Sequence, residues 1–249
     1  EVSQGVGLIA GHLGLSNLIM FYDSNNIQLS TKVEEVSTED IVAKYEAWGW
    51  SVISIDGNDP AEIRQALSRA VAETEKPTLI VGHTLMGKGA VGKEGEDFSN
   101  KVSTHGQPLS AAGGDIAKTV AALGGDPENP FVIFDDVKEL YARRREELKK
   151  WYALRREEES IWRAANKEQA AELDLFLSGK TPAIDYSRIN CGDNVATRAA
   201  SAAVLSYLAE HVQNMVVASA DLSNSDKTDG FLKKTHAMRK GAFTGPFPH

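Results

Sequence analysis

The sequence has one cysteine, Cys191, among 249 residues. An internal disulfide and a cysteine-rich zinc site are therefore excluded, and a reducing compartment, the cytoplasm, is the expected setting. No apolar run approaches the roughly 18–20 residues of a membrane-spanning helix, so no membrane partner is expected. Basic residues are outnumbered, 27 against 35 acidic, for a formal net charge of −8. Nucleic-acid phosphates are bound by clustered Lys and Arg, so a nucleic-acid partner is not expected either. What is present is ordinary for a globular chain: 42% hydrophobic and 25% charged residues.

Residue 1 is Glu, and the segment after it is already apolar. The expectation is an internal piece of a larger polypeptide, with a processed mature protein as the alternative. Residues 2–15 read as a helix in which Gly5, Gly7, Ala10, Gly11 and Gly14 permit close approach to another backbone. Leu18 to Tyr22, LIMFY, reads as a buried parallel strand stopped by Asp23-Ser24-Asn25-Asn26. A helix is predicted over Thr38 to Trp50, started by Ser37-Thr38-Glu39-Asp40, then a strand over Trp50 to Ile55. An amphipathic helix over Ala61 to Thr74 and a strand over Thr78 to Val81 follow. Strand and helix alternate, which predicts an α/β fold with a parallel sheet wrapped by helices.

Residues 86–114 read as a long Gly-rich loop, the kind that is usually functional or mobile. Asp135 to Leu177 is nearly all helix formers, with alternating basic and acidic runs that predict a solvated connector with i,i+4 ion pairs. A new unit is expected near Asp185, with a helix over Arg198 to His211 and a strand over Met215 to Ser219.

Candidate chemistry lies at the predicted strand ends, where open α/β sheets collect ligands. Asn25 offers an amide oxygen and Ile27 a loop carbonyl, donors that suit a hard cation such as magnesium; a plain Asx turn is the alternative. His105, in Ser103-Thr104-His105-Gly106, reads as a proton donor or a phosphate ligand, or else as a solvated loop histidine. His12, His83, His211, His236 and His249 have no better local case. Arg198 with Ser225 would suit a substrate phosphate, the alternative for Arg198 being a surface ion pair. Asp221 reads as a partner for an amide or amine, or as a turn cap.

Together the strings LIAGHLGLSNLIMFYDSNNIQLS (8–30), TED and YEAWGW (38–50), STHGQPL (103–109), GDNVATRAAS (192–201), SADLSNS (219–225) and KGAFTG (240–245) resemble transketolase, in order and over essentially the whole chain. The resemblance implies a thiamine-diphosphate fold. Residues 1–125 would be the end of the diphosphate (PP) domain, 126–184 a helical connector, and 185–249 the start of the pyrimidine (Pyr) domain. It implies thiamine diphosphate and Mg2+ or another divalent cation, with Asn25 as side-chain ligand and Ile27 as carbonyl ligand. His105 would be catalytic and would face both the diphosphate and the sugar hydroxyls. Arg198 and Ser225 would grip the sugar phosphate, and Asp221 would lie near the cofactor.

The implied reaction is transfer of a two-carbon ketol unit from a ketose phosphate to an aldose phosphate in the pentose phosphate pathway. It would proceed in a homodimer whose site lies between subunits. The family's GDG aspartate would precede Glu1 and its activating glutamate would follow residue 249, so the piece by itself is expected to be inactive. The resemblance sets Gly5 where many members of that family would carry Glu, and Ser30 where many would carry Asp. A related thiamine-diphosphate synthase (dihydroxyacetone- or deoxyxylulose-phosphate type) and a non-catalytic truncated scaffold are the alternatives.

Overall fold

The computed structural model describes residues 2–235 and 238–241. His236, His249 and the end of the KGAFTG string (242–245) lie outside the described residues. The chain divides into two compact units, Glu1–Phe134 and Asp135–His249.

The first unit is organised by three parallel strands, β1 (Ile19–Ser24), β2 (Ser51–Asp56) and β3 (Thr78–His83), in the order β1-β3-β2. Central β3 is buried from Thr78 to Gly82, as its unbroken apolar run requires of a strand covered on both faces. The pairing is level at both ends: Ile19 and Ser51 both face Thr78, and Ser24 and Asp56 both face His83. All three strands therefore release their loops at one edge. β1, an edge strand, is only partly buried, with Phe21 44% and Tyr22 38% exposed. The expectation of a buried first strand is corrected accordingly.

Helices α1 (Val2–Leu13) and α2 (Ile41–Ala47) cover one face around Ala10, Trp50, Leu79 and Val81. The Trp50 indole N–H donates to Gly7 O at 2.8 Å. A β-carbon at Gly11 would lie 1.8 Å from Trp48 O, so only glycine permits this approach. Helix α3 (Pro60–Ala72) covers the other face, packing Ala66 and Ala70 on Ile53, Ile55 and Ile80. Its start combines proline in the first turn with Asp59, whose carboxylate accepts from Ala61 N at 2.7 Å. In α2 only Asp40 caps, accepting from Ala43 N at 2.9 Å, so the helix begins three residues later than its first hydroxyl suggested.

Residues 86–114 are not a plain loop. They hold a 3-10 turn (Val102–Thr104), the short helix α4 (Leu109–Ala112) and isolated bridges Val91–Asp97 and Gly92–Gly114. Helix α5 (Ile116–Ala122) follows.

The second unit opens with α6 (Asp135–Ala165) and α7 (Lys167–Leu177). Most α6 ion pairs run i,i+3, as in Arg155–Glu158 and Arg156–Glu159, both 2.8 Å, rather than i,i+4. Arg163 joins Glu159 and reaches Asp174 of α7, both at 2.8 Å. Helix α8 (Thr197–His211) packs on α10 (Asp229–Leu232) around the fully buried Phe231, and Ser206 Oγ donates to Gly230 O at 2.9 Å. Between them lies the four-residue α9 (Ser223–Asp226). Met215 to Ser219 forms no strand. A β-branched run extends only against a neighbouring ladder, and none stands beside it among the described residues. No helix among the described residues is long and apolar enough to cross a membrane.

Candidate functional site at the carboxyl edge of the sheet

The level ends of β1, β3 and β2 concentrate polar loops at one edge. Leaving β1, Asn25 Oδ1 accepts the Ile27 amide at 2.9 Å, closing an Asx turn. Asn26 follows with φ 58°, a left-handed conformation that Asn tolerates better than other side chains. Its carbonyl accepts from Val33 N at 3.1 Å and its side chain from Glu34 N at 3.2 Å. Gln28 N donates to Thr31 O at 2.9 Å, so residues 25–34 form a closed, hairpin-like loop.

Two oxygens of this loop are available to a ligand. The Ile27 carbonyl accepts no hydrogen bond among the described residues, although Ile27 is buried. Asn25 Oδ1 uses one of its two lone pairs on Ile27 N. Both are neutral, hard donors of the kind magnesium accepts beside phosphate oxygens and water. Among the described residues, no group of three or more His, Cys, Asp or Glu is placed to hold a metal by itself. The two neutral oxygens suit part of the shell of a divalent cation that also takes phosphate oxygens.

His105 ends the Val102–Thr104 turn, its amide donating to Val102 O at 3.1 Å. Its Nδ1 is buried and has no hydrogen-bond partner among the described residues. A buried ring nitrogen left unpaired is costly and marks a place where a ligand would complete the bond. A β-carbon at Gly106 would lie 2.8 Å from Leu29 Cδ2, so the His105 segment abuts the Ile27–Ser30 loop. The structure thereby brings His105 to the same edge as Asn25 and Ile27.

Sequence reasoning missed three polar groups at this edge. Asp23 accepts from the Thr84 hydroxyl, and Asn58 Oδ1 accepts from Leu85 N at 3.0 Å. The available signal was position: Asp23 near the end of β1, Thr84 one residue past β3 and Asn58 two residues past β2. A cavity of 360 Å³ is lined by Tyr22, Ser24, Val33, Asp40, Val81 and His83.

The remaining candidates belong to the second unit. Arg198 is exposed in the first turn of α8 and Ser225 is exposed in α9. Asp221 has φ 60° and is exposed. No hydrogen bond or ion pair joins these three among the described residues. The segment is organised instead by Asp226. It accepts from Thr228 N at 2.9 Å, Thr228 Oγ1 at 2.8 Å and Ser219 Oγ at 2.9 Å. These bonds, the Thr228 amide foremost, hold its carboxyl below the usual aspartate range.

An α/β sheet that offers hard oxygens and an unpaired imidazole at its carboxyl edge has donors of the kind a phosphorylated cofactor requires. The family model described as "Transketolase, thiamine diphosphate binding domain" matches residues 1–182. This chain belongs to the transketolase family. It is 39% identical over 236 residues to Transketolase 2 of Xanthobacter flavus, covering 91% of this chain and 33% of that protein. It is 34% identical over 256 residues to the transketolase of Nostoc sp., covering 100% and 36%.

A solved transketolase of Pichia stipitis, in complex with sedoheptulose-7-phosphate, superposes with a TM-score of 0.79 at 31% identity, covering 91% of this chain and 33% of that one. The transketolase of Leishmania mexicana superposes with a TM-score of 0.82 at 29% identity, covering 91% and 33%. The chain thus spans about a third of the length of the curated relatives it matches.

Proposed function

We propose that this chain is part of a transketolase that moves a two-carbon ketol group from a ketose phosphate to an aldose phosphate, as in the pentose phosphate pathway. The observation that carries the reading is the shared edge. There the free Ile27 carbonyl and Asn25 Oδ1 stand on one loop, and the buried, unpaired His105 Nδ1 on the loop abutting it. When bound, thiamine diphosphate supplies the carbon nucleophile and the electron sink, chemistry that no side chain provides.

The chain's own residues position, neutralise and move protons. Asn25 Oδ1 and the Ile27 carbonyl contribute two oxygens to a magnesium or similar divalent ion, which offsets the diphosphate charge. His105 donates a hydrogen bond to the diphosphate or the sugar hydroxyls and is the candidate acid–base group. Arg198 offers a forked guanidinium and Ser225 a hydroxyl for the sugar phosphate. Asp221 serves the cofactor site. The sugar-phosphate complex of the Pichia stipitis relative supports this substrate class.

The same reading divides the chain into the end of the diphosphate domain (1–125), a helical connector (126–184) and the start of the pyrimidine domain (185–249). It places the enzyme in the cytoplasm as a homodimer with the site between subunits. The deciding assay incubates the full-length parent with a ketose phosphate and an aldose phosphate. The expected product is an aldose lengthened by two carbons, formed only with thiamine diphosphate and a divalent cation both present. No such transfer with both present would overturn the reading.

A further inference from the structure

Thr84 stands where the two loops of the site part company. Strand pairing ends one residue earlier, at His83, which faces Ser24 on one side and Asp56 on the other. Thr84 continues the zipper by other means. Its amide donates to Ser24 O at 3.3 Å and its hydroxyl donates to the Asp23 carboxylate. Its methyl lies flat on the β2 exit, where a β-carbon at Gly57 would come within 2.6 Å of Thr84 Cγ2. The next residue is pinned as well, Leu85 N donating to Asn58 Oδ1. From here the chain runs out and returns as the segment carrying His105 against Leu29.

The Asp23–Ile27 turn needs such an anchor. Asn26 holds a positive φ, a conformation that is tolerated rather than favoured by a side chain, and one side-chain bond closes the Asx turn. A hydroxyl bonded to a carboxylate is among the stronger hydrogen bonds. Groups that fix the orientation of metal ligands, without touching the metal, commonly govern affinity.

We propose that Thr84 is a positioning residue for the cofactor-binding edge, its hydroxyl clasping Asp23 so that the Asn25–Ile27 turn is held in the cation-binding conformation. This rests on the cation reading of that turn given above. The rival is a purely structural threonine that closes the sheet and leaves the turn's ligand affinity alone.

The test uses the full-length parent, with Mn2+ as the probe ion in the presence of thiamine diphosphate, titrated by electron paramagnetic resonance. Hydrogen exchange at the Ile27 amide is followed in parallel without cofactor. Thr84→Val keeps the shape and loses the hydroxyl. The Mn2+ dissociation constant is expected to rise about tenfold, and the Ile27 amide to exchange faster. Thr84→Ser, which keeps the hydroxyl, is expected to restore both.

Asp23→Ala is expected to match Thr84→Val, and the double variant to be no worse than either, because one interaction is removed in each. Unchanged affinity and exchange in Thr84→Val, no rescue by serine, or additive losses would each overturn the clasp. Asn25→Ala separates the two claims. If it leaves Mn2+ affinity untouched, the cation reading falls; if it impairs binding while Thr84→Val does not, only the clasp falls.

Discussion

Gly106 and Leu29 meet so closely that a β-carbon on Gly106 would lie 2.8 Å from Leu29 Cδ2. This contact sets the His105 segment against the Asn25–Ile27 loop. Gly106 also has φ 71°, a backbone region that disfavours side chains.

Gly106→Ala should therefore disturb His105 by two routes, the backbone strain of about 1–2 kcal/mol and the crowding of Leu29. Leu29 is 68% exposed and its tip can swing away, so strain outweighs crowding. In the full-length parent the expected result is a loss of roughly tenfold or more in kcat/KM, with cation affinity nearly unchanged. Adding Leu29→Ala should recover little of it. Full recovery in the double variant would assign the effect to crowding instead, and wild-type kinetics in Gly106→Ala would separate this loop from the chemistry.

Much of the first unit was legible because its cues are local. LIMFY, the strand before Asp56 and the run TLIV are apolar stretches ended by turn residues, and Asp59-Pro60 announces α3 within two residues. Asn25 was legible as a polar residue just past a strand. Thr84 and Asn58 were not, because their partners lie 61 and 27 residues away in sequence. Met215 to Ser219 misled for the converse reason: its composition suits a strand, but a strand is made by its neighbours. Asp226 drew less notice than Ser225, although the spacing of Asp226 and Thr228 is that of an Asx turn.

Asn25→Ala removes one side-chain oxygen and, with it, the acceptor of the Ile27 amide. Cofactor retention by the full-length parent should weaken most at limiting magnesium and recover as the ion is raised. Gel filtration followed by measurement of bound thiamine diphosphate checks this across a magnesium series. Equal retention by variant and wild type at every concentration would remove Asn25 from the ligand set.

Arg198 is exposed and makes no ion pair among the described residues, so its guanidinium is free to meet a phosphate. Arg198→Ala should raise KM for phosphorylated donors by about tenfold or more, in line with 1.5–3 kcal/mol for hydrogen bonds to charged groups. Unphosphorylated ketoses should be nearly unaffected, since uniform binding is lost only where the phosphate exists. Equal effects on both donor classes would dismiss the assignment.

Asp226 gives the Ser219–Thr228 turn a pH dependence of defined sign. Its folded carboxyl is held below the usual range by the Thr228 amide first, then by the Thr228 and Ser219 hydroxyls. A depressed carboxyl stabilises the fold fully above the ordinary aspartate value of about 3.9 and loses that contribution as pH falls through its lower folded value. Protection of the Thr228 amide, corrected for intrinsic exchange, should therefore hold steady from neutral pH to about pH 5 and decline in more acidic solution. Asp226→Asn cannot titrate, so its residual protection should vary far less over the same range. A decline of equal size in the asparagine variant would place the sensitivity on another group and leave Asp226 as an ordinary surface carboxylate.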